Sequence, residues 1–97
     1  MKNFQEIENN IKKIKSFLQN NYNIKELALF GSYLRNEQTD KSDIDILVDF
    51  NEATGLLKFI NLKNYLKNYL GTEVDLVMKN GIKKELTEDI LSDAYYL

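Results

Sequence analysis

The sequence predicts one α/β domain, α+β in its layering, with a three-stranded mixed sheet flanked by helices in the order α-β-(short α)-β-α-β-α. Three observations carry that expectation. Two stretches, Phe4 to Leu18 and Leu56 to Leu70, repeat apolar residues at intervals of three and four, the period of a helix with one buried stripe. Two others, Asp43 to Phe50 and Glu73 to Met78, alternate apolar with polar residues, as half-buried strands do. The 97 residues contain no linker, repeat, low-complexity tract or change of composition, so residues 1–97 are read as a single domain with one core.

The first helix places Phe4, Ile7, Ile11, Ile14, Phe17 and Leu18 on one stripe, and Asn20-Asn21-Tyr22-Asn23 is expected to end it. Lys25 to Phe30 grows increasingly apolar and runs into Gly31, which reads as a buried strand stopping where the backbone needs positive φ. Ser32 then caps a short helical turn, and Asn36 to Lys41 is polar loop. In the second strand Ile44, Ile46, Val48 and Phe50 share one face while Asp43, Asp45, Leu47 and Asp49 share the other. Gly71 stops the middle helix. In the third strand Glu73, Asp75 and Val77 lie opposite Val74, Leu76 and Met78. Asn80-Gly81 turns the chain into a last helix, striped by Ile82, Leu86, Ile90, Leu91, Ala94 and Tyr95 and expected to reach the C-terminus. The strand-helix-strand from Asp43 to Met78 should form a right-handed parallel crossover, whereas the shorter connection between the first two strands implies an antiparallel pair.

Composition limits the chemistry. Without cysteine or histidine the chain has no disulfide, thiolate zinc site, Ser-His triad or histidine acid-base pair. Asp, Glu, Ser, Tyr, Lys and Arg remain, and the carboxylate and hydroxyl oxygens among them suit hard cations such as magnesium or manganese, so a metal site here should be of that kind. Thirteen basic residues against fifteen acidic ones, a net charge of −2, leave no general polycationic surface, so direct nucleic-acid binding is not expected. No apolar h-region or membrane-length apolar run is present, which predicts a cytoplasmic protein without a membrane partner.

Two fragments carry chemistry. Asp43 and Asp45 stand two apart on one strand, with Cα atoms about 6.5 Å apart and side chains on one face. At an effective dielectric near 20 two such charges repel by roughly 3 kcal/mol, a cost the fold is not expected to carry without cations. Glu37 to Glu52 holds six acids against Lys41 alone, which sharpens the need. If the second and third strands are neighbours, about 4.8 Å apart, Asp75 joins the pair as a third carboxylate and completes a two-metal site. Gly31-Ser32, leading into a helical turn, lets backbone N–H groups and a hydroxyl approach phosphate oxygens, and Arg35 one turn on can add a charge-assisted contact. Taken singly each fragment also has a plain structural reading: Gly-Ser as a turn and cap, Asp-x-Asp as the wet face of a strand, Arg35 as a surface arginine, and Asp75 as an exposed strand residue. Asp49 shares the acidic face but lies too far along it and is read as structural. The aromatics Phe59, Tyr65, Tyr69, Tyr95 and Tyr96 are read as core and rim, and Lys58, Lys63 and Lys67 as the wet side of the middle helix.

Gly31-Ser32-Tyr33-Leu34-Arg35 through Ser42-Asp43-Ile44-Asp45-Ile46-Leu47-Val48 resembles the Gly-Ser, Asp-x-Asp signature of the polymerase-beta-like nucleotidyltransferase superfamily. The whole chain resembles its minimal nucleotidyltransferase group, the antitoxin partners of HEPN-domain ribonuclease toxins. The likeness extends through Gly55-Leu56-Leu57, Leu62-Lys63, Leu70-Gly71, Glu73-Val74-Asp75-Leu76-Val77 and Ile90 to Leu97. It implies the nucleotidyltransferase fold. It also implies that Asp43, Asp45 and Asp75 bind two Mg²⁺ ions (or Mn²⁺) and carry the catalysis, that Gly31 and Ser32 hold the nucleotide phosphates, and that Arg35 belongs to the same phosphate site.

The expected activity is transfer of AMP from ATP to a hydroxyl, a tyrosine, of a partner HEPN toxin, within a hetero-oligomer. A chain of this length with no acceptor domain must borrow its acceptor. The alternatives are a non-catalytic antitoxin that binds its toxin and senses nucleotide or metal, and transfer to a small molecule or an RNA end.

Overall fold

The computed structural model describes residues 3–31, 43–52, 54–79 and 94–97. Helix α1 spans Phe4–Tyr22. It starts where Asn3 Oδ1 accepts the Glu6 N–H at 2.9 Å, satisfying one of the otherwise unpaired donors of the first turn. It ends within the expected stop, Asn20 to Asn23. The Asn21 side chain donates to the Phe17 carbonyl at 2.9 Å, and Tyr22 closes against Phe17 and Tyr65, so the asparagines support the last turn. The chain then leaves the helix at Asn23, which adopts φ 56°, a left-handed conformation asparagine tolerates better than most residues.

Strand β1 (Ile24–Phe30) pairs antiparallel with β2 (Ile44–Phe50), and β2 pairs parallel with β3 (Val74–Met78). Both pairings agree with the sequence reading. Helix α2 (Leu56–Leu70) makes the crossover and ends at Gly71, whose φ of 72° lets its N–H reach the Lys67 carbonyl at 2.9 Å. The fourth strand, β4 (Tyr95–Tyr96), was not expected. It lies antiparallel to β1, giving the order β3-β2-β1-β4. The expected final helix therefore does not include Ala94 and Tyr95. The outer edge of β1 offers free backbone groups, Leu97 N–H donates to the Leu27 carbonyl at 2.9 Å, and two consecutive tyrosines favour extended backbone. The remainder of that expected helix, Ile82 to Leu91, lies outside the described residues, as does the expected turn after Ser32.

Both helices pack on one face of the sheet. Ile7, Ile11 and Leu18 of α1 and Leu62, Leu66 and Leu70 of α2 meet Leu27, Leu29, Ile44, Ile46, Val48 and Leu76 in one core cluster. Ala28 and Leu47, on the opposite face, are buried as well. The stripe of α2 is narrower than its sequence suggests, because Leu56 and Ile60 are exposed and the buried line runs Leu62, Leu66, Leu70. Phe17 is also displaced from the core. It stacks on Tyr65 at 5.3 Å, and Tyr65 stacks on Tyr69 at 6.2 Å, forming an aromatic row across the two helices. Among the described residues no helix is long and apolar enough to cross a membrane.

Candidate active site

The site lies where β1 ends and β2 and β3 begin. Gly31, directly after β1, has φ +80°. A Cβ built there would collide with the Asp45 carboxylate, lying 2.8 Å from its Cγ. The carboxylate therefore occupies the space a side chain would need, which explains glycine at this position more strongly than the turn alone. Phe30 is the register partner of Asp45, and Asp45 is the register partner of Asp75. The sheet thus sets the two aspartates side by side on adjacent strands, about 4.8 Å apart at the backbone.

Asp43 stands one step before β2, two residues from Asp45, and shares its face. Asp45 is half-buried, whereas Asp43 and Asp75 are exposed. Alternation brings a further carboxylate to this face. The Glu73 carbonyl accepts the Ile44 N–H at 2.9 Å, which places Glu73 beside Asp43 as Asp75 is beside Asp45. The Glu73 side chain pairs with Lys67 Nζ at 2.9 Å. The sequence put Glu73 on the face of Asp75 without giving it a role, and Lys67 was read as wet helix surface. Their pairing depends on how the end of α2 folds back over β3, which no local pattern encodes. Beside them opens a depression of about 420 Å³ lined by Lys67, Asn68, Gly71, Thr72 and Glu73.

The backbone brings Asp43, Asp45 and Asp75 to one corner of the sheet. Among the described residues, however, no three acidic side chains converge closely enough to grip one ion. Ser32 and Arg35 lie outside the described residues. Asp49 sits four residues from Asp45, about 13 Å along the strand. It lines a separate depression of about 210 Å³ with Phe50, Glu52, Thr54, Met78 and Lys79 at the other end of the sheet. Its structural reading fits that place.

The donor set can be tested against a hard cation. Every acidic group here offers only carboxylate oxygen, the chemistry magnesium and manganese prefer. The cradle of Gly31 holds one of those carboxylates against bare backbone, in the space a β-carbon would otherwise fill. The donor chemistry suits a hard cation, and the seat at Gly31 fixes the place of one donor.

Comparison with known proteins agrees with this geometry. Residues 11–97 match the model of the nucleotidyltransferase domain family. The chain is 49% identical over 96 residues to a protein named as a candidate protein adenylyltransferase in Methanocaldococcus jannaschii, covering 94% of this chain and 98% of that one. It is 42% identical over 97 residues to the protein adenylyltransferase MntA of Thermococcus cleftensis, covering 100% and 98%. Among solved structures, a candidate minimal nucleotidyltransferase superposes with a TM-score of 0.86 at 30% identity over 99% of this chain and 97% of that chain. A toxin-antitoxin complex with AMP-PNP gives 0.75 at 28% identity, over 88% and 69% of the two chains. The complex of a tri-AMPylated Shewanella oneidensis HEPN toxin with its MNT antitoxin gives 0.69 at 25%, over 93% and 70%. With the fold, the glycine-aspartate corner and these likenesses in agreement, the chain belongs to the nucleotidyltransferase domain family, in its minimal nucleotidyltransferase group.

Proposed function

We propose that this protein is a magnesium-dependent antitoxin that moves AMP from ATP to a tyrosine hydroxyl of a partner HEPN ribonuclease toxin. The observation that carries the reading is the seating of the Asp45 carboxylate against Gly31, with Asp75 in register beside it. Asp43, Asp45 and Asp75 would hold two Mg²⁺ ions, with Mn²⁺ as a substitute. Bound there, the ions supply positive charge to the triphosphate and to the departing pyrophosphate. The Gly31 backbone N–H, together with Ser32 and Arg35, which follow it in sequence, is assigned to the triphosphate oxygens. The exposed carboxylates Asp43 and Asp75 face solvent, where an acceptor hydroxyl can enter and lose its proton. The name of the Thermococcus cleftensis relative supports AMP as the transferred group, and the tri-AMPylated toxin of the Shewanella oneidensis complex supports a HEPN protein as acceptor.

Co-expression with a HEPN-domain ribonuclease from the same genome, followed by intact mass of that partner, tests the proposal. AMP-sized increments that vanish with Asp43→Asn, while the complex still co-purifies, are the expected result. A silenced but unmodified partner would refute transfer and leave an antitoxin that acts by contact alone.

A further inference from the structure

The carboxylate corner opens toward the end of α2. Glu73 stands beside Asp43 and two residues before Asp75, about 6.5 Å along the strand. The same Glu73 lines the depression of about 420 Å³. Asp43, Glu73 and Asp75 are all exposed, so the way from the carboxylates into the depression lies over solvent-facing side chains.

The lining narrows what the depression can hold. Lys67 and Glu73 pair at 2.9 Å, which cancels their charges and leaves no net positive charge to hold a phosphate. Asn68 and Thr72 add uncharged donors and acceptors. No aromatic or large apolar side chain lines it among the described residues, so an adenine ring would find nothing to stack on. Donors and acceptors without net charge match a polypeptide backbone and its polar side chains. The place of the depression favours the same occupant. Gly31 follows β1, Asp45 lies on β2 and Asp75 on β3, and Phe30, Asp45 and Asp75 form one row across the sheet. With the triphosphate assigned to the Gly31 end of that row, in-line displacement requires the incoming oxygen to arrive from the opposite end, over β3. The depression lies at that end.

We infer that the depression beside the Lys67–Glu73 pair docks the polypeptide segment that carries the acceptor hydroxyl, with Lys67, Asn68, Thr72 and Glu73 as its positioning residues. This rests on the AMP-transfer reading above and adds the place of the acceptor. The acceptor oxygen forms a bond to the α-phosphorus of ATP as the bond from that phosphorus to the bridging oxygen breaks. The electron pair of the broken bond leaves with pyrophosphate, and the hydroxyl proton passes to a site carboxylate and on to water.

The test measures initial rates of AMP transfer from Mg-ATP to a separately purified, unmodified HEPN-domain protein from the same genome, varying each substrate in turn. Lys67→Ala removes one wall of the depression, and Asn68→Trp fills it. The Lys67 and Glu73 side chains are 45% and 62% exposed, and such surface pairs contribute little to stability, so both variants should melt with the native protein in urea. Each should raise KM for the HEPN protein about tenfold, the effect of losing one charge-assisted hydrogen bond, while kcat and KM for Mg-ATP keep their native values. A rise in KM for Mg-ATP in place of that for the HEPN protein, or a native KM for the HEPN protein in both variants, would overturn the inference alone. Absence of transfer by the native protein would overturn the AMP-transfer reading and this inference with it.

Discussion

Replacing Gly31 with alanine probes the contact on which the site depends. The substitution adds a methyl group to a residue at φ +80°, and that group falls on the Asp45 carboxylate. Left-handed backbone costs an alanine roughly 1–2 kcal/mol, and pushing Asp45 off its rotamer adds roughly 0.5–1.5. A loss of about 2–3 kcal/mol in urea denaturation is expected from these two costs together. AMP transfer should fall on the order of 100-fold, the usual effect of displacing a catalytic group by about 1 Å. The fold supplies its own control. Gly71 has nearly the same φ, +72°, but nothing lies within 4 Å of a Cβ built there. Gly71→Ala should therefore cost only the backbone share, about 1–2 kcal/mol, and leave transfer unchanged. If the two variants lose equal stability and Gly31→Ala transfers AMP at the native rate, the Asp45 contact does not organise the site.

Two further expectations concern the scaffold. Leu66→Ala empties a position fully buried between α2 and the sheet and should cost about 2–5 kcal/mol, whereas Leu57→Ala, 74% exposed on the same helix, should stay within about 0.5 kcal/mol; urea melts of both check the contrast. The hydrogen bond to Glu8, and then the negative charge of Glu8, raise the Tyr95 phenol above its ordinary value of 10.0. Folding thus favours the protonated phenol, so its contribution is complete below pH 10 and disappears as pH rises through the higher folded value. The stability gap between the native protein and Tyr95→Phe should accordingly narrow above pH 10 in urea melts at stepped pH.

Much of this molecule is legible in its sequence because local pattern and tertiary packing agree. The alternation around Asp43 to Phe50 and Glu73 to Met78, joined by a helix with a clear Gly71 stop, leaves little freedom in how β2, α2 and β3 connect. Side-by-side placement of Asp45 and Asp75 follows from that crossover, and the structure puts them in register. What escaped the sequence depends on contacts between distant segments. Tyr95 fits a helical stripe as well as a strand, and only the open edge of β1, more than sixty residues away, selects the strand. Leu56 and Ile60 fall at helical spacing yet are exposed, because the face α2 turns to the core runs through Phe59, Leu62, Leu66 and Leu70 instead. Gly31 was legible as a turn, but its role as the seat of the Asp45 carboxylate was not, since that needs β1 and β2 in a known register.

The most direct test follows the label. The purified complex of this chain with a co-expressed HEPN-domain protein is given Mg-ATP labelled on either the α- or the γ-phosphate, with native protein and with Asp43→Asn. Transfer of the α-label to the partner by the native protein, its loss with Asp43→Asn, and no transfer of the γ-label are expected. Transfer of the γ-label, or α-label transfer undiminished by Asp43→Asn, would contradict an AMP transferase built on these carboxylates.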